Sequence, residues 1–580
     1  MRSLGRWVTA GWIGFRTRMD PELFLILLAI GVGVAGGLAA VALHHLIEGF
    51  SSLAAGYRKA PWAFLLPALG AGVSVFFMEK IVREGGGHGV PEVIYAVSRH
   101  GGLIRLRSTF SRIFASSMTI GSGGSAGPEA PVVMAGSAIG SNIGRFLRLN
   151  EKERVVLVGC GAASAIGSIF NAPLAGMVFT MEVLLGQWRS THLVPITLAA
   201  VAGTEVSRRM HGNQIPFESQ AFSVHLHDTL AAAGLAIITA IVAIAIMRGL
   251  RAMHAFSGQA ALRMGLSLWT KAALGGLFVG GIGIFFPVVL GEGYQAVRTM
   301  IAGQYGTGIL LVLLALLAKM LATSFTLGWG GVGGIFAPSL VMGALAGLLY
   351  HRILVFLFPG VAWVGEGCFA LLGMAGLLAG VLQAPLTAIF LIFEITGGYE
   401  VMLPLMVVSA LSTILCRFGE PASIYLRDLV ARGELLRPGT DRRVLLDLRI
   451  PEIMERDCIP IRRNLLLRDF VHLQKHSKRN YFPVEDEATG RFVGMVHLDD
   501  VRPYLLDDML YDTVFMEQLM QRDVPVVHPD DELQEVLDIM DERGVFSMPV
   551  VANHRFMGMI SRATLLDHYR RELRVQTGEM

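Results

Sequence analysis

Charge is scarce in this chain: 16% of its 580 residues are Asp, Glu, Lys or Arg, against a hydrophobic fraction of 53%. Soluble domains carry roughly a quarter charged residues, so an ordinary soluble protein is excluded over much of the length. The shortage is regional. Between about residues 21 and 420 apolar runs recur, among them 24–43, 62–78, 229–247, 272–290 and 309–317, whereas residues 436–580 are dense in Asp, Glu and Arg. The first part is expected to span a membrane and the last to be soluble. Cysteine is scarce too. Cys160, Cys368, Cys416 and Cys458 show no paired spacing, which argues against a disulfide or metal framework and leaves them as small packing residues. No Walker, Rossmann or catalytic-triad pattern stands out, so the chain is expected not to be an enzyme, and a net charge of +3 gives no sign of a nucleic-acid partner. The N-terminal stretch lacks a small-residue cleavage site. With Arg2, Arg6, Arg16 and Arg18 ahead of the first span, it is expected to stay uncleaved and cytoplasmic, in a bacterial-type inner or plasma membrane with both termini on that side.

Glycine, by contrast, is abundant, with 68 residues, and it is patterned. Gly121-Ser-Gly-Gly-Ser-Ala-Gly-Pro-Glu-Ala-Pro131 returns as Gly328-Trp-Gly-Gly-Val-Gly-Gly-Ile-Phe-Ala-Pro338, offset by 207 (328 − 121), and a basic residue, Arg112 or Lys319, opens each copy. Asn171-Ala-Pro-Leu-Ala-Gly returns as Gln383-Ala-Pro-Leu-Thr-Ala, offset by 212 (383 − 171), each followed by an acid at the same distance, Glu182 and Glu394. Duplicated halves with Gly/Pro-broken apolar segments in corresponding positions mark a transport protein whose site lies at the repeat interface, near mid-membrane. Such breaks are tolerated there when they line a protein-enclosed cavity.

Gly-rich turns that feed helices present unpaired backbone N–H groups at a positive dipole end, which suits an anion. Three such turns occur: Gly85-Gly-Gly-His88-Gly-Val-Pro-Glu92, Gly123–Gly127 into Pro128-Glu129, and Gly331–Gly334 into Ile335-Phe336. Convergence of the three would make an anion site, although spacing alone does not show convergence. A lone carboxylate within the membrane is costly and functional by default, which singles out Glu129.

These segments resemble the CLC family of chloride channels and chloride/proton antiporters. Gly87-His88-Gly89-Val90-Pro91 is similar to its first anion-binding motif, usually G-S-G-I-P; Gly127-Pro128-Glu129-Ala130-Pro131 to G-[KR]-E-G-P; Gly334-Ile335-Phe336-Ala337-Pro338 to G-x-F-x-P. Tyr425 falls where the family places its pore tyrosine. The resemblance implies an all-α membrane domain of two inverted-topology repeats with broken helices. It also implies a homodimer with an anion path in each subunit, and a central chloride or similar monovalent anion held by His88, Gly89, Ile335, Phe336 and Tyr425. Glu129 would be the gating glutamate, shut when its carboxylate takes an anion position. Bland readings stand beside these: Glu129 as a helix-dipole acid, Tyr425 as an interfacial aromatic, His88 as a ring bonded to a backbone carbonyl. The chain departs from the family pattern at Pro128 and Ala130, which stiffen the gate turn, and at His88, where Ser is usual. In family antiporters a proton-relaying glutamate usually follows the position of Glu182; here that residue is Val183, which cannot titrate. Glu182 is then either a substitute on the proton path or a helix-packing acid.

From about residue 449 a second repeat begins. Asn480-Tyr-Phe-Pro483-Val-Glu and Gly494-Met-Val-His497-Leu-Asp-Asp500 return as Phe546-Ser-Met-Pro549-Val-Val and Gly558-Met-Ile-Ser561-Arg-Ala-Thr564, alternating helix-period and β-branched segments. This resembles a pair of α/β CBS domains, expected at 449–512 and 513–580 behind a linker at 436–448, an N-terminal segment at 1–20 and a membrane domain at 21–435. CBS pairs often hold adenine nucleotides through Gly-x-x-[ST]-x-x-Asp. Asp500 remains in one copy and Ser561 in the other, and neither copy is complete, so weak nucleotide binding or a structural dimerisation role are both open. No cofactor is expected to be required.

The expectation is anion movement through the bilayer, voltage- or pH-gated and channel-like, with a chloride/proton antiporter as the alternative. A CBS-regulated cation transporter would call for carboxylates clustered on a path, which the Gly-rich helix starts do not offer. A membrane sensor or enzyme would leave the duplicated breaks without a purpose.

Overall fold

The computed structural model describes residues 20–57, 60–84, 89–212, 222–432, 445, 448–477 and 479–577. The chain divides into two compact units, Met1–Leu435 and Leu436–Met580.

The first unit is helical. Among the described residues, eight helices are long and apolar enough to cross a membrane, and Pro173–Leu185, Glu366–Leu382 and Pro385–Thr396 are shorter apolar helices. Pro21–Tyr57 and Leu226–Met264 have 37 and 39 residues. At 1.5 Å per residue each is about 55–60 Å long, nearly twice the roughly 30 Å hydrocarbon thickness, so each must tilt or project beyond it.

The duplication read in the sequence is a duplication of structure. The strongest sign is that equivalent residues meet each other. Gly127 and Gly334, offset by 207, exchange both backbone hydrogen bonds (Gly127 N–H to Gly334 O, 2.8 Å; Gly334 N–H to Gly127 O, 2.7 Å). The second sequence pair behaves likewise. Glu182 accepts from the Leu386 and Thr387 N–H groups at 3.2 and 2.7 Å and from the Thr387 hydroxyl at 2.7 Å. Glu394 in turn accepts from the Leu174 and Ala175 N–H groups at 3.0 and 2.7 Å. Each acid satisfies orphan donors at the start of the other repeat's helix, Pro385–Thr396 or Pro173–Phe179, and complements its dipole.

Glycine makes the close helix crossings, again twice. A Cβ on Gly136 would lie 2.2 Å from the Gly161 carbonyl, and one on Gly343 would lie 2.5 Å from the Gly373 carbonyl. Backbones at that separation need small residues on both sides. The turns that open the second motif pair, Asn171 and Gln383, both take left-handed conformations (φ 55° and 53°) as helix C-caps.

The second unit carries the two α/β copies. In the first, strand Ile461–Arg462 pairs parallel with Tyr481–Glu485, which pairs antiparallel with Phe492–His497. The second copy has the antiparallel pair Ser547–Ala552 and Arg555–Ser561, with Val527 bridged parallel to Val550. Pro483 faces Met495 in one and Pro549 faces Met559 in the other. The copies also exchange lead-in segments: Glu455 bridges to Met559 and Gln521 to Met495. Gly558 and Gly494 allow this, since a Cβ there would lie 2.6 Å from the Glu455 carbonyl and 2.4 Å from the Gln521 carbonyl.

Candidate functional site

The Gly127–Gly334 bridge sets two helix starts side by side. Glu129 is the first residue of Glu129–Phe146, and Phe336 the first of Phe336–Leu357, with Ile335 as its N-cap. Glu129 is buried, at 1% exposure. Its carboxylate folds back over Gly127, where a Cβ would lie 2.0 Å from Oε2. There Oε2 accepts from the Ala337 N–H at 3.4 Å, and Oε1 accepts from the Tyr294 hydroxyl at 2.6 Å. The acid of one repeat therefore sits at the N-terminus of the other repeat's helix, the place where backbone amides and dipole favour an anion.

A third helix start joins them. Gly89 caps Val90–Arg99 with φ 88°, and a Cβ on it would lie 2.6 Å from the Ala130 carbonyl. Only glycine meets both demands at low cost. Tyr425 is buried and within electrostatic reach of Glu129. Phe336 packs on Phe170 and Phe179 with ring centroids 5.3 and 6.3 Å apart. The structure thus brings Gly89, Glu129, Ile335, Phe336 and Tyr425 into one neighbourhood. His88 lies outside the described residues.

Val183 is buried in a π-helical turn, Thr180–Leu185, and packs in the main apolar core. Glu182, beside it, engages its carboxylate at the helix start at Leu386 and Thr387. Its partners are two backbone amides and the Thr387 hydroxyl.

Two residues of the site escape the sequence reading. Tyr294 supplies the shortest bond to Glu129. Glu292 lies two positions earlier, within electrostatic reach of Glu129, Lys319 and Glu48. Lys319 is fully buried, donating to the Val289 and Gly291 carbonyls at 3.1 and 3.2 Å. The missed signal is a third repeat pair: Gly291-Glu292-Gly293-Tyr294 is the second copy of Gly87-His88-Gly89-Val90, offset by 204 (292 − 88). Gly293 caps its helix with φ 85°, as Gly89 does with 88°.

In the soluble unit, Asp500 accepts from the Gln521 side-chain amide at 2.8 Å. Ser561 donates to Glu455 at 2.6 Å, and Thr564 also bonds that carboxylate. The Ser561 hydroxyl, which would face a phosphate, is therefore bonded to the Glu455 carboxyl group. Glu455, Asp457 and Cys458 form one of two described groups with metal-ligand donors, the other being His225, His227 and Asp228. Arg479 pairs with both Glu455 and Asp457, and Asp228 accepts from the His225 and Val364 N–H groups, so these acids already have partners.

Comparison with known proteins places these features. The family profile described as voltage gated chloride channel matches residues 70–417, and the CBS domain profile matches 450–507 and 516–571. A protein of Ralstonia nicotianae, provisionally assigned as a ClcB-like chloride channel protein, is 33% identical over 427 residues, covering 70% of this chain and 97% of its own length. The H(+)/Cl(-) exchange transporter ClcA of Vibrio cholerae is 30% identical over 428 residues, covering 70% and 90%. Chloride channel protein CLC-f of Arabidopsis thaliana is 26% identical over 642 residues, covering 95% and 80%. Among solved structures, a slow cyanobacterial Cl-/H+ antiporter matches with a TM-score of 0.64 at 24% identity, over 72% of this chain and 99% of that one. A eukaryotic CLC transporter matches at 0.62 and 19%, over 94% and 99%; at these identities the likeness is one of fold. With the profile match covering more than half its length, the chain belongs to the voltage-gated chloride channel family of anion transport proteins and carries a CBS pair behind its membrane domain.

Proposed function

We propose that the protein moves chloride or a similar monovalent anion passively through the membrane, along a path in each subunit of a homodimer, and that Glu129 is the gate. One observation carries this reading: the Glu129 carboxylate occupies the start of the helix Phe336–Leu357, bonded to Ala337 N–H and the Tyr294 hydroxyl. An anion bound at those amides and the carboxylate compete for one place. When the carboxylate is protonated or swings out, the amides are released to the anion. His88, Gly89, Ile335, Phe336 and Tyr425 are the groups that would surround it, with both chain termini on the cytoplasmic side.

Channel-like movement is favoured over proton exchange by Val183, an apolar side chain in the position of the inner relay acid, and by the engagement of Glu182 elsewhere. Antiport is the second reading, and the exchange-transporter relatives are the observation that favours it. The test of the gate is anion efflux from liposomes. Glu129→Gln and Glu129→Ala should both raise efflux and flatten its pH dependence. Variants that match wild type in rate and pH profile would overturn the assignment.

A further inference from the structure

Glu292 has no part in the gate as described, yet its surroundings are those of a working group. It stands in the repeat-equivalent position of His88, the residue assigned to the anion. It also lines a cavity of about 460 Å³ together with His44, Glu48, Ser51 and Ser52 of the Pro21–Tyr57 helix. His44 and Glu48 are more than half exposed and 3.1 Å apart, and the His211 ring lies with its centroid 4.5 Å from that of His44, edge-on, and 4.6 Å from that of His45. The cavity lining therefore brings Glu292 together with an exposed imidazole, His44, and an exposed carboxylate, Glu48.

On its inner side Glu292 faces the gate. Its loop is pinned from both repeats: Gly291 N–H donates to the Gly123 carbonyl at 3.1 Å, and the Gly291 carbonyl accepts from Lys319. Tyr294, two residues on, holds Glu129 and is within electrostatic reach of both acids. The charged groups facing Glu292 are thus Glu129, Lys319 and Glu48, with His44 in the cavity lining and Tyr294 alongside. The buried Lys319 lies within electrostatic reach of Glu292.

We propose that Glu292 is a second proton-exchanging carboxylate of the anion path, passing protons between Glu129 and the solvent that reaches the cavity of His44, Glu48, Ser51 and Ser52. A protonated Glu292 gives its proton to the Glu129 carboxylate, directly or through the Tyr294 hydroxyl, which gives one proton and takes another. The Glu292 carboxylate left behind is reprotonated from the cavity. No bond other than O–H forms or breaks. This rests on the gating role proposed for Glu129.

The test uses full-length protein in liposomes, with chloride efflux followed from about pH 5 to pH 8. Glu292→Gln removes a negative neighbour and a proton donor, so the midpoint of the pH response should move to lower pH by at least threefold in proton concentration. Glu292→Asp should largely restore it. Glu48→Gln, at an exposed helix position, should shift it the same way by a smaller factor. In a Glu129→Gln background Glu292→Gln should change nothing. An unmoved midpoint in both Glu292→Gln and Glu48→Gln overturns the proposal. So does an equal effect with and without Glu129, which would make Glu292 merely the partner of Lys319. If Glu129→Gln alone keeps the wild-type profile, the gating role itself fails, and the Glu292 proposal falls with it.

Discussion

Removing one oxygen atom, in Tyr294→Phe, should loosen the gate while leaving its charge in place. The Tyr294 hydroxyl is 2.6 Å from Glu129 Oε1, whereas the Ala337 N–H is 3.4 Å from Oε2, at the long limit of a hydrogen bond. The hydroxyl is therefore the main tie holding the carboxylate in its occluding place. A hydrogen bond to a charged group contributes about 1.5–3 kcal/mol, which corresponds to roughly a tenfold to hundredfold change in the ratio of occluded to released carboxylate. The phenyl ring keeps the edge contact with Phe170, centroids 6.5 Å apart, so local packing is retained. In liposomes at neutral pH, chloride efflux through Tyr294→Phe should rise toward that of Glu129→Gln while retaining more pH dependence, because the carboxylate can still be protonated. Efflux equal to or below wild type would refute the idea that this bond holds the path shut.

The reciprocal caps predict that Glu182→Gln and Glu394→Gln each destabilise the membrane unit by about 1–3 kcal/mol, since each leaves two backbone donors with a weaker acceptor. Thermal unfolding in detergent checks this, and a Glu182→Gln variant of unchanged stability but altered proton flux would reverse the reading of that residue. In the soluble unit, calorimetry on the full-length protein should find weak adenine-nucleotide binding or none, because the Glu455 carboxylate stands at the Ser561 and Thr564 hydroxyls. Glu455→Gln should strengthen binding, and micromolar wild-type affinity abolished by Asp500→Ala would contradict the account.

What the sequence made legible follows from what repeats. The offsets of 207 and 212 point to Glu129, the helix starts at Ile335 and Phe336, and the Glu182/Glu394 pair, because the glycine and proline positions recur in both copies. The offset of 204 shares two glycines around a changed residue, His88 or Glu292, which is too little to stand out, and Tyr294 was lost with it. That Glu182 crosses to the other repeat could not be read, since reciprocal capping depends on how helices separated by about two hundred residues pack. Nor could the placement of Glu455 beside Ser561: it lies in a lead-in segment 106 positions away, brought there by exchange between the two CBS copies.

The central claim is an anion path that runs without a proton partner, and the reversal potential tests it most directly. With wild-type protein in a bilayer under a fixed chloride gradient, the reversal potential should stay at the chloride equilibrium value whether or not a pH gradient is imposed. Val183 at the inner relay position bears no titratable group, and the neighbouring Glu182 carboxylate is bound to Leu386 and Thr387. A reversal potential that moves with the pH gradient would contradict the claim and make the protein an antiporter.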